Sequence, residues 1–168
     1  MPLQPEDYEA IRNLYGRYSI AVDTGDHDAF VACFAPDADY SYEGLPEDLG
    51  RNGSHIGHEA IRALAVDIWA GTQGHVLHVQ GPITIEGDGD HAYAITYDHV
   101  LRRGQAPYAG VIHTATAEDT LVRLEGRWVF KVRVGHIHVN GATPESTDVL
   151  VVARDEFVAA ADRLSGPT

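Results

Sequence analysis

Cysteine is nearly absent from this sequence, because Cys33 is the only one among 168 residues. A single thiol cannot form an intramolecular disulfide, which excludes a disulfide-stapled fold and favours a reducing compartment such as the cytoplasm. Long apolar runs are lacking as well, and no stretch approaches the roughly 18 consecutive apolar residues of a membrane-spanning helix. The N-terminal segment has neither a basic start nor an apolar stretch, so we predict no signal peptide.

Basic residues are also scarce relative to acidic residues. The chain has 12 lysines and arginines against 25 aspartates and glutamates, which gives a formal net charge of −13. Nucleic acids and anionic membranes bind basic patches, so this charge balance predicts neither as a partner. Apolar side chains are plentiful, at 44% of the residues, with 17 glycines and 8 prolines for turns. Length and composition suit one globular domain with a core of its own.

The hydrophobic pattern changes once along the chain, from a period of 3.6 residues to a period of two. Three helices are predicted first, with one short strand before the third, at residues 5–22, 27–34, 39–43 and 58–70. Four long strands follow, joined by short turns, at residues 75–86, 91–103, 108–124 and 127–139. Helices followed by strands, without internal repeats, predict an α+β fold and not a parallel α/β fold.

The short joints between the four long strands predict an antiparallel meander. We expect this sheet to curl around a pocket and the three helices to cover it, with residues 1–145 as the domain. Residues 146–168 are predicted to be a C-terminal extension with one more helix, and residues 44–57 to be a loop. The outer face of the sheet also needs cover, so a homodimer or homotrimer is expected.

An acidic residue stands in an unfavourable place at the end of the first helix. The apolar stripe that packs this helix on a core comprises Tyr8, Ile11, Tyr15, Tyr18 and Val22. Asp23 directly follows the stripe, near the helix C-terminus, where the macrodipole disfavours an anion. We therefore expect Asp23 to have a compensating partner elsewhere in the chain.

Several motifs, taken in order, carry a resemblance to a known family. They are Tyr-x-x-Ala-x-Asp at 18–23, Phe-x-x-Cys-Phe-Ala-Pro-Asp-Ala at 30–38, Gly-x-Glu-Ala-Ile at 57–61, His78, and Gly-Arg-Trp-x-x-x-x-Arg at 126–133. Residues 5–140 thereby resemble the NTF2-like, or SnoaL-like, superfamily, and the branch with scytalone dehydratase, hexachlorocyclohexane dehydrochlorinase and bile-acid dehydratase. The resemblance implies a cone-shaped α+β barrel, in which a curled antiparallel sheet and three N-terminal helices enclose a pocket.

The resemblance also implies a catalytic pair. In that branch an aspartate at the end of the first helix pairs with a histidine on the first long strand, which here falls on Asp23 and His78. A carboxylate that holds one imidazole nitrogen as a donor leaves the other nitrogen able to accept a proton. Such a pair suits proton abstraction beside a leaving group. We therefore expect a cofactor-independent, dehydratase-like lyase or isomerase for a small hydrophobic, cyclic molecule.

Four further residues are candidates for substrate binding. Tyr40 or Tyr42 could donate a phenolic proton to a substrate oxygen, as a strand tyrosine does in the scytalone dehydratase relatives, or could simply lie at the core edge. Arg133 falls where the family often has a pocket arginine, although a strand arginine can equally be a solvated charge. His113 aligns with a pocket-lining stretch and is a candidate second acid or base.

Other functions stay open at the level of sequence. This fold also hosts non-catalytic binding or accessory proteins, polyketide cyclases and epoxide hydrolases. The last use an Asp-Arg-Asp set, for which Asp98 and Arg133 are available. Ten histidines invite a metal site, but the spaced pairs at 55/58, 75/78 and 136/138 lack an HExxH motif or clustered cysteines. We therefore predict no metal and no cofactor.

Overall fold

The computed structural model describes residues 1–103 and 110–138. The helices are α1 (Pro5–Thr24), α2 (His27–Val31) and α3 (Gly57–Thr72), with one 3-10 turn at Glu47–Leu49. The strands are β1 (Phe34–Glu43), β2 (Gly53–Ile56), β3 (Val76–Asp88), β4 (His91–Arg102), β5 (Gly110–Leu124) and β6 (Arg127–His138). The predicted C-terminal extension, residues 146–168, lies outside the described residues.

Both ends of α1 have a clear chemical cause. At its start Pro5 occupies the first turn, and the Asp7 carboxylate accepts a hydrogen bond from the backbone N–H of Gln4 at 2.9 Å. At its end Gly25 adopts the left-handed conformation with φ of 72°. A Cβ at this position would also lie 2.7 Å from the Trp69 ring, so only glycine ends the helix here without strain.

The six strands form one curled, unclosed sheet in the order β2-β1-β6-β5-β4-β3. The four long strands make the predicted antiparallel meander, which confirms the α+β fold class. One pairing differs from a purely antiparallel sheet, because β1 runs parallel to β6. Among the described strands, β2 and β3 therefore form the two edges of the sheet.

The largest local difference from prediction is the start of β1. The strand begins at Phe34, the last residue of the predicted second helix, and passes through Pro36 in the predicted connection 35–38. Helix α2 correspondingly ends at Val31. Phe34 pairs with Phe130 on β6, and both side chains are buried. Burial of these rings outweighs the local turn propensity, and a register shift between Phe34 and Asp39 accommodates the proline. Part of the predicted loop 44–57 is likewise strand β2, paired with β1.

A β-bulge decides which residues of β6 face the helices. Thr120 pairs with Val132, but the next residue, Leu121, pairs with Phe130, so Lys131 is an extra residue in the ladder. Strict alternation would place Phe130 and Arg133 on opposite faces of the sheet. Because of the bulge, both side chains lie on the buried concave face, at 0% and 2% exposure.

The core lies between this concave face and the helices. Its largest fully buried apolar side chains are Ile11, Leu14, Phe30, Tyr40, Ile61, Leu121 and Phe130. Aromatic rings dominate the part under α1 and α2, where the Tyr18 ring lies edge-on to that of Phe130 at 5.7 Å between centroids. No helix among the described residues is long and apolar enough to cross a membrane.

Candidate active site

Polar side chains on the concave face are arranged in rows across neighbouring strands. His78, Val100 and His113 lie opposite one another in β3, β4 and β5. The next row contains Asp98, which pairs with Gln80 on one side and Ala115 on the other. His78 and Asp98 are therefore diagonal neighbours, a relation that places Cα atoms about 7–8 Å apart in antiparallel sheets.

Asp23 has its compensating partner on β3. Its Oδ1 atom lies 2.7 Å from Nδ1 of His78, and its Oδ2 atom accepts a hydrogen bond from the backbone N–H of His78 at 2.9 Å. Asp23 is only 8% exposed. Because it binds the ring and the backbone of one residue, it fixes the orientation of the imidazole. A proton held on Nδ1 leaves Nε2 as the nitrogen that can accept a proton.

Arg133 is fully buried between two carboxylates. Its Nη1 donates to Asp119 at 2.7 Å and its Nη2 donates to Asp98 at 2.8 Å. Tyr15 donates a further hydrogen bond to Asp119 at 2.5 Å. One guanidinium and two carboxylates leave a net negative charge in the interior, where unpaired charge is costly. Desolvation raises the pKa of Asp119 to about 6 and raises the pKa of Asp98.

Three tyrosine hydroxyls form a chain beside this cluster. The hydroxyl of Tyr40 is bonded to those of Tyr18, at 2.5 Å, and Tyr42. The Arg133 guanidinium lies 4.5 Å from the centre of the Tyr18 ring, a cation–π contact. Tyr42 packs over Gly135, where a Cβ would come within 3.1 Å of its ring. Burial raises the pKa of each of these tyrosines, so they remain neutral hydrogen-bond donors.

The predicted site residues fall into two groups and one outlier. Asp23 and His78 are bonded to each other, and Tyr40, Tyr42 and Arg133 lie together around the buried cluster. Tyr40 is 1% exposed, which fits the alternative of a core tyrosine better than direct substrate contact. Arg133 is a buried, doubly paired charge and not a solvated one. The roles assigned to these residues stay predictions.

His113 is the outlier, separated from His78 by Val100 in the same row. Burial lowers the pKa of His113 to about 4, below its ordinary 6.5, so the imidazole is neutral at neutral pH. Between pH 6.5 and 4 the unfolded chain binds this proton and the folded chain does not. His113 therefore contributes stability that is present above pH 6.5 and lost as the pH falls towards 4.

We expect His113→Gln to remove this pH dependence. From pH 7 to pH 4.5 the free energy of unfolding should fall more for the wild type than for the variant, because only the wild type has an imidazole at position 113. Urea denaturation at four pH values in this range measures the difference. Parallel pH profiles of the two proteins would contradict the prediction.

Several members of the buried cluster are not among the residues predicted from the sequence to form the site. Asp119 follows Ala115 and Ala117 at spacings of two, on the strand face that His113 shares, and an acid in such an apolar alternation was an available signal. The sequence pattern places Tyr15 and Tyr18 only in the apolar stripe of the first helix. It gives Asp98 a role only in the epoxide hydrolase alternative.

Five of the six histidines in the pairs with metal-like spacing have hydrogen-bond partners of other kinds. His55 is bonded to the backbone carbonyl of Arg51 at 3.1 Å and His58 to that of Phe34 at 2.9 Å. His136 faces the Glu43 carboxylate at 3.1 Å. Within residues 1–103 and 110–138, no group of three His, Cys, Asp or Glu side chains is placed to hold a metal ion.

A curled sheet covered by N-terminal helices, with polar groups gathered on its concave face, is the NTF2-like, or cystatin-like, class of α+β fold. Residues 4–134 match the family model of the SnoaL-like domain. The chain therefore belongs to the SnoaL-like domain family. A comparison with curated proteins gives no match.

Solved structures of this class are similar over most of the chain. An NTF2-like protein from Novosphingobium aromaticivorans is 26% identical, with a TM-score of 0.68, over 82% of this chain and 85% of its own. A candidate scytalone dehydratase from the same organism is 22% identical, with a TM-score of 0.65, over 79% and 84% of the two chains. LinA is 22% identical, with a TM-score of 0.65, over 79% and 86%. At these identities the likeness supports the fold.

Proposed function

We propose that the protein is a cofactor-independent lyase or isomerase of the dehydratase type, acting on a small hydrophobic, cyclic molecule. The observation that supports this most is the hydrogen bond of 2.7 Å between Asp23 and the Nδ1 atom of His78. The family includes dehydratases and isomerases, and this pair supplies the general base that both reactions need.

The proposed reaction begins at Nε2 of His78, which takes a proton from a substrate carbon. The electron pair of the broken C–H bond forms the new double bond, and the leaving oxygen departs from the adjacent carbon with its own bonding pair. The imidazolium, stabilised by Asp23, then returns the proton to that oxygen, so a hydroxyl group leaves as water. In an isomerisation the same proton returns to a different carbon.

The remaining predicted residues have supporting roles in this proposal. Tyr42 is the member of the tyrosine chain that is only half-buried, so its hydroxyl is the one we infer to reach a substrate oxygen. Arg133 holds Asp98 and Asp119 and packs against Tyr18, so it acts as a positioning residue. His113, neutral and on the same face as His78, would line the pocket.

The test is a reaction screen in D₂O with cyclic ketones, β-hydroxy ketones and phenols. Mass spectrometry detects loss of water, and NMR detects exchange of carbon-bound hydrogen for deuterium. Enzyme-dependent exchange or elimination that disappears in His78→Ala supports the proposal. Ligands that bind tightly without any exchange or conversion would instead identify a non-catalytic binding protein.

Epoxide hydrolysis is a second candidate, favoured by the buried Asp98–Arg133–Asp119 set. The Oδ1 atoms of both aspartates are buried without a hydrogen-bond partner among the described residues, so each could bond to a water or an epoxide oxygen. No asparagine in the described part of the chain bonds to this set. With an epoxide in H₂¹⁸O, label in a diol product that depends on Asp98 and not on His78 would establish this function.

We also infer that the protein is a homo-oligomer in the cytoplasm. The single cysteine supports the location, and the convex face of the sheet supports the assembly. Tyr93 and Tyr97 on β4 point away from the core and are 43% and 55% exposed. Val79, which pairs with His99 on the same strand, is 43% exposed. Apolar area of this kind is typical of a protein interface.

We expect Tyr97→Asp to dissociate the oligomer, because two copies would then bring like charges together in an apolar contact. Sedimentation velocity should show a dimer or trimer for the wild type and a smaller species for the variant. Glu125→Gln, at an exposed turn, is the control and should not change the sedimentation coefficient. A wild-type monomer would refute the inference.

A further inference from the structure

A groove of about 470 Å³ runs along the seam between α1 and the edge strand β3. Its helix wall is formed by residues one turn apart on a single face, among them Arg12, Gly16 and Ile20. Its strand wall includes His78, Gln80 and Ile83. The volume lies within the range of about 300–1,000 Å³ that is usual for small-molecule sites. Because His78 lines the groove, the groove connects the Asp23–His78 pair with the surface of the protein.

Two features of the chain keep the groove open. Gly16 has no side chain, and a Cβ built there would meet nothing within 4 Å. On the other wall, the register of β3 against β4 shifts between Gln80 and Ile83, a bulge that bends the edge strand. Among residues 1–103 and 110–138, no strand lies beyond β3 in the sheet to close the seam.

The chemistry of the groove changes along its length. His78 and Gln80 lie at one end, near Asp23. The Oε1 atom of Gln80 is buried and has no hydrogen-bond partner within the part of the chain that the structure describes. Ile20 and Ile83 supply apolar wall. Arg12 is exposed and lies 11 residues before Asp23, about 16 Å along the helix axis at 1.5 Å per residue.

We propose that this groove binds an amphipathic small molecule that has an apolar ring system and one anionic group. Arg12 pairs with the anion, the ring system lies between Ile20 and Ile83, and the far end of the molecule reaches His78, where Gln80 accepts a hydrogen bond from a hydroxyl or amine. Because the net charge of the chain is −13, its overall electrostatic field repels anions. An anionic ligand therefore needs a positive side chain, here Arg12, at the rim of the groove. Only the further step, that this molecule is the substrate, rests on the proposed function.

The test uses two fluorescent probes with the same ring system. 8-Anilinonaphthalene-1-sulfonate has an anionic sulfonate, and N-phenyl-1-naphthylamine lacks it. We expect one molecule of either probe to bind per chain, and only the sulfonate to bind more weakly at high salt. Arg12→Gln should weaken the sulfonate at least fivefold and leave the neutral probe unchanged. Gly16→Leu, which fills the groove with a good helix former, should weaken both at least tenfold.

Arg17→Gln is the matched control on the same helix. Arg17 lines a separate cleft of about 600 Å³ between α1, α2 and the start of β6. Equal weakening of the sulfonate by Arg12→Gln and Arg17→Gln, or by neither, would overturn the inference. Circular dichroism checks that Gly16→Leu is folded. If it is not, the comparison of sulfonate binding by Arg12→Gln and Arg17→Gln still tests the inference. Probe binding with this pattern but no turnover in any screen would refute the proposed function alone.

Discussion

Replacing His78 by alanine is expected to lower kcat/KM by 10²–10⁴-fold on any substrate found by the screen. A positioned general base contributes about this factor to a proton-transfer step. The chain should still fold, because the backbone N–H of residue 78 continues to donate a hydrogen bond to Asp23. The side chain is 17% exposed and packs at the edge of the concave face, so its loss leaves no large buried cavity. Steady-state kinetics and thermal unfolding of the same preparation measure both quantities.

The matched control is His99→Ala, one strand away on β4. His99 alternates with the buried residues Asp98 and Val100, so it points to the opposite face of the sheet. We expect this variant to retain the wild-type rate. Asp23→Asn should also lose activity, because the amide cannot hold the same imidazole tautomer or stabilise the imidazolium. Full activity in both the His78 and Asp23 variants would exclude the pair from catalysis.

Arg133→Met is expected to lower the free energy of unfolding by about 3–5 kcal/mol, the largest effect on stability that we predict. Removing one partner from a buried ion pair leaves the other charge uncompensated in a low dielectric. Here two carboxylates, Asp98 and Asp119, would lose their guanidinium at once. Urea denaturation at pH 7 measures the loss.

Two comparisons separate charge from packing in this prediction. The triple variant Arg133→Met, Asp98→Asn and Asp119→Asn removes all three charges, so it should recover part of the lost stability. Arg62→Met breaks the exposed pair with Asp28, in which the side chains are 46% and 88% exposed, and should cost at most about 1 kcal/mol. A triple variant no more stable than Arg133→Met would show that packing of the guanidinium, and not charge, is what the cluster requires.

Local pattern was sufficient for much of the architecture. The apolar stripe of α1 and the short turns between the long strands are each encoded within a few residues, so periodicity and turn chemistry predicted them. The same stripe placed Asp23 at a helix end, where its charge required a partner. His78 as that partner came from the family resemblance, since no local rule links residues 55 positions apart.

Tertiary structure decided the rest, because it depends on pairings between distant segments. Burial of Phe34 against Phe130 outweighs the local turn propensity at Pro36, so β1 is a strand parallel to β6. The extra residue at Lys131 turned Arg133 inward, which alternation alone could not reveal. Asp119 on β5 lies directly opposite Arg133 on the neighbouring strand β6 and forms an ion pair with it.

The sequence by itself therefore determined the fold class, the first helix with Asp23 near its C-terminus and the acidic, disulfide-free character of the chain. Only the tertiary structure decided which faces of the strands are buried, that two carboxylates share one arginine, and that a groove reaches His78 between α1 and β3. The physical reason is that helices, turns and strand periodicity arise from neighbouring residues, whereas register, bulges and buried charge pairs arise when distant strands pack.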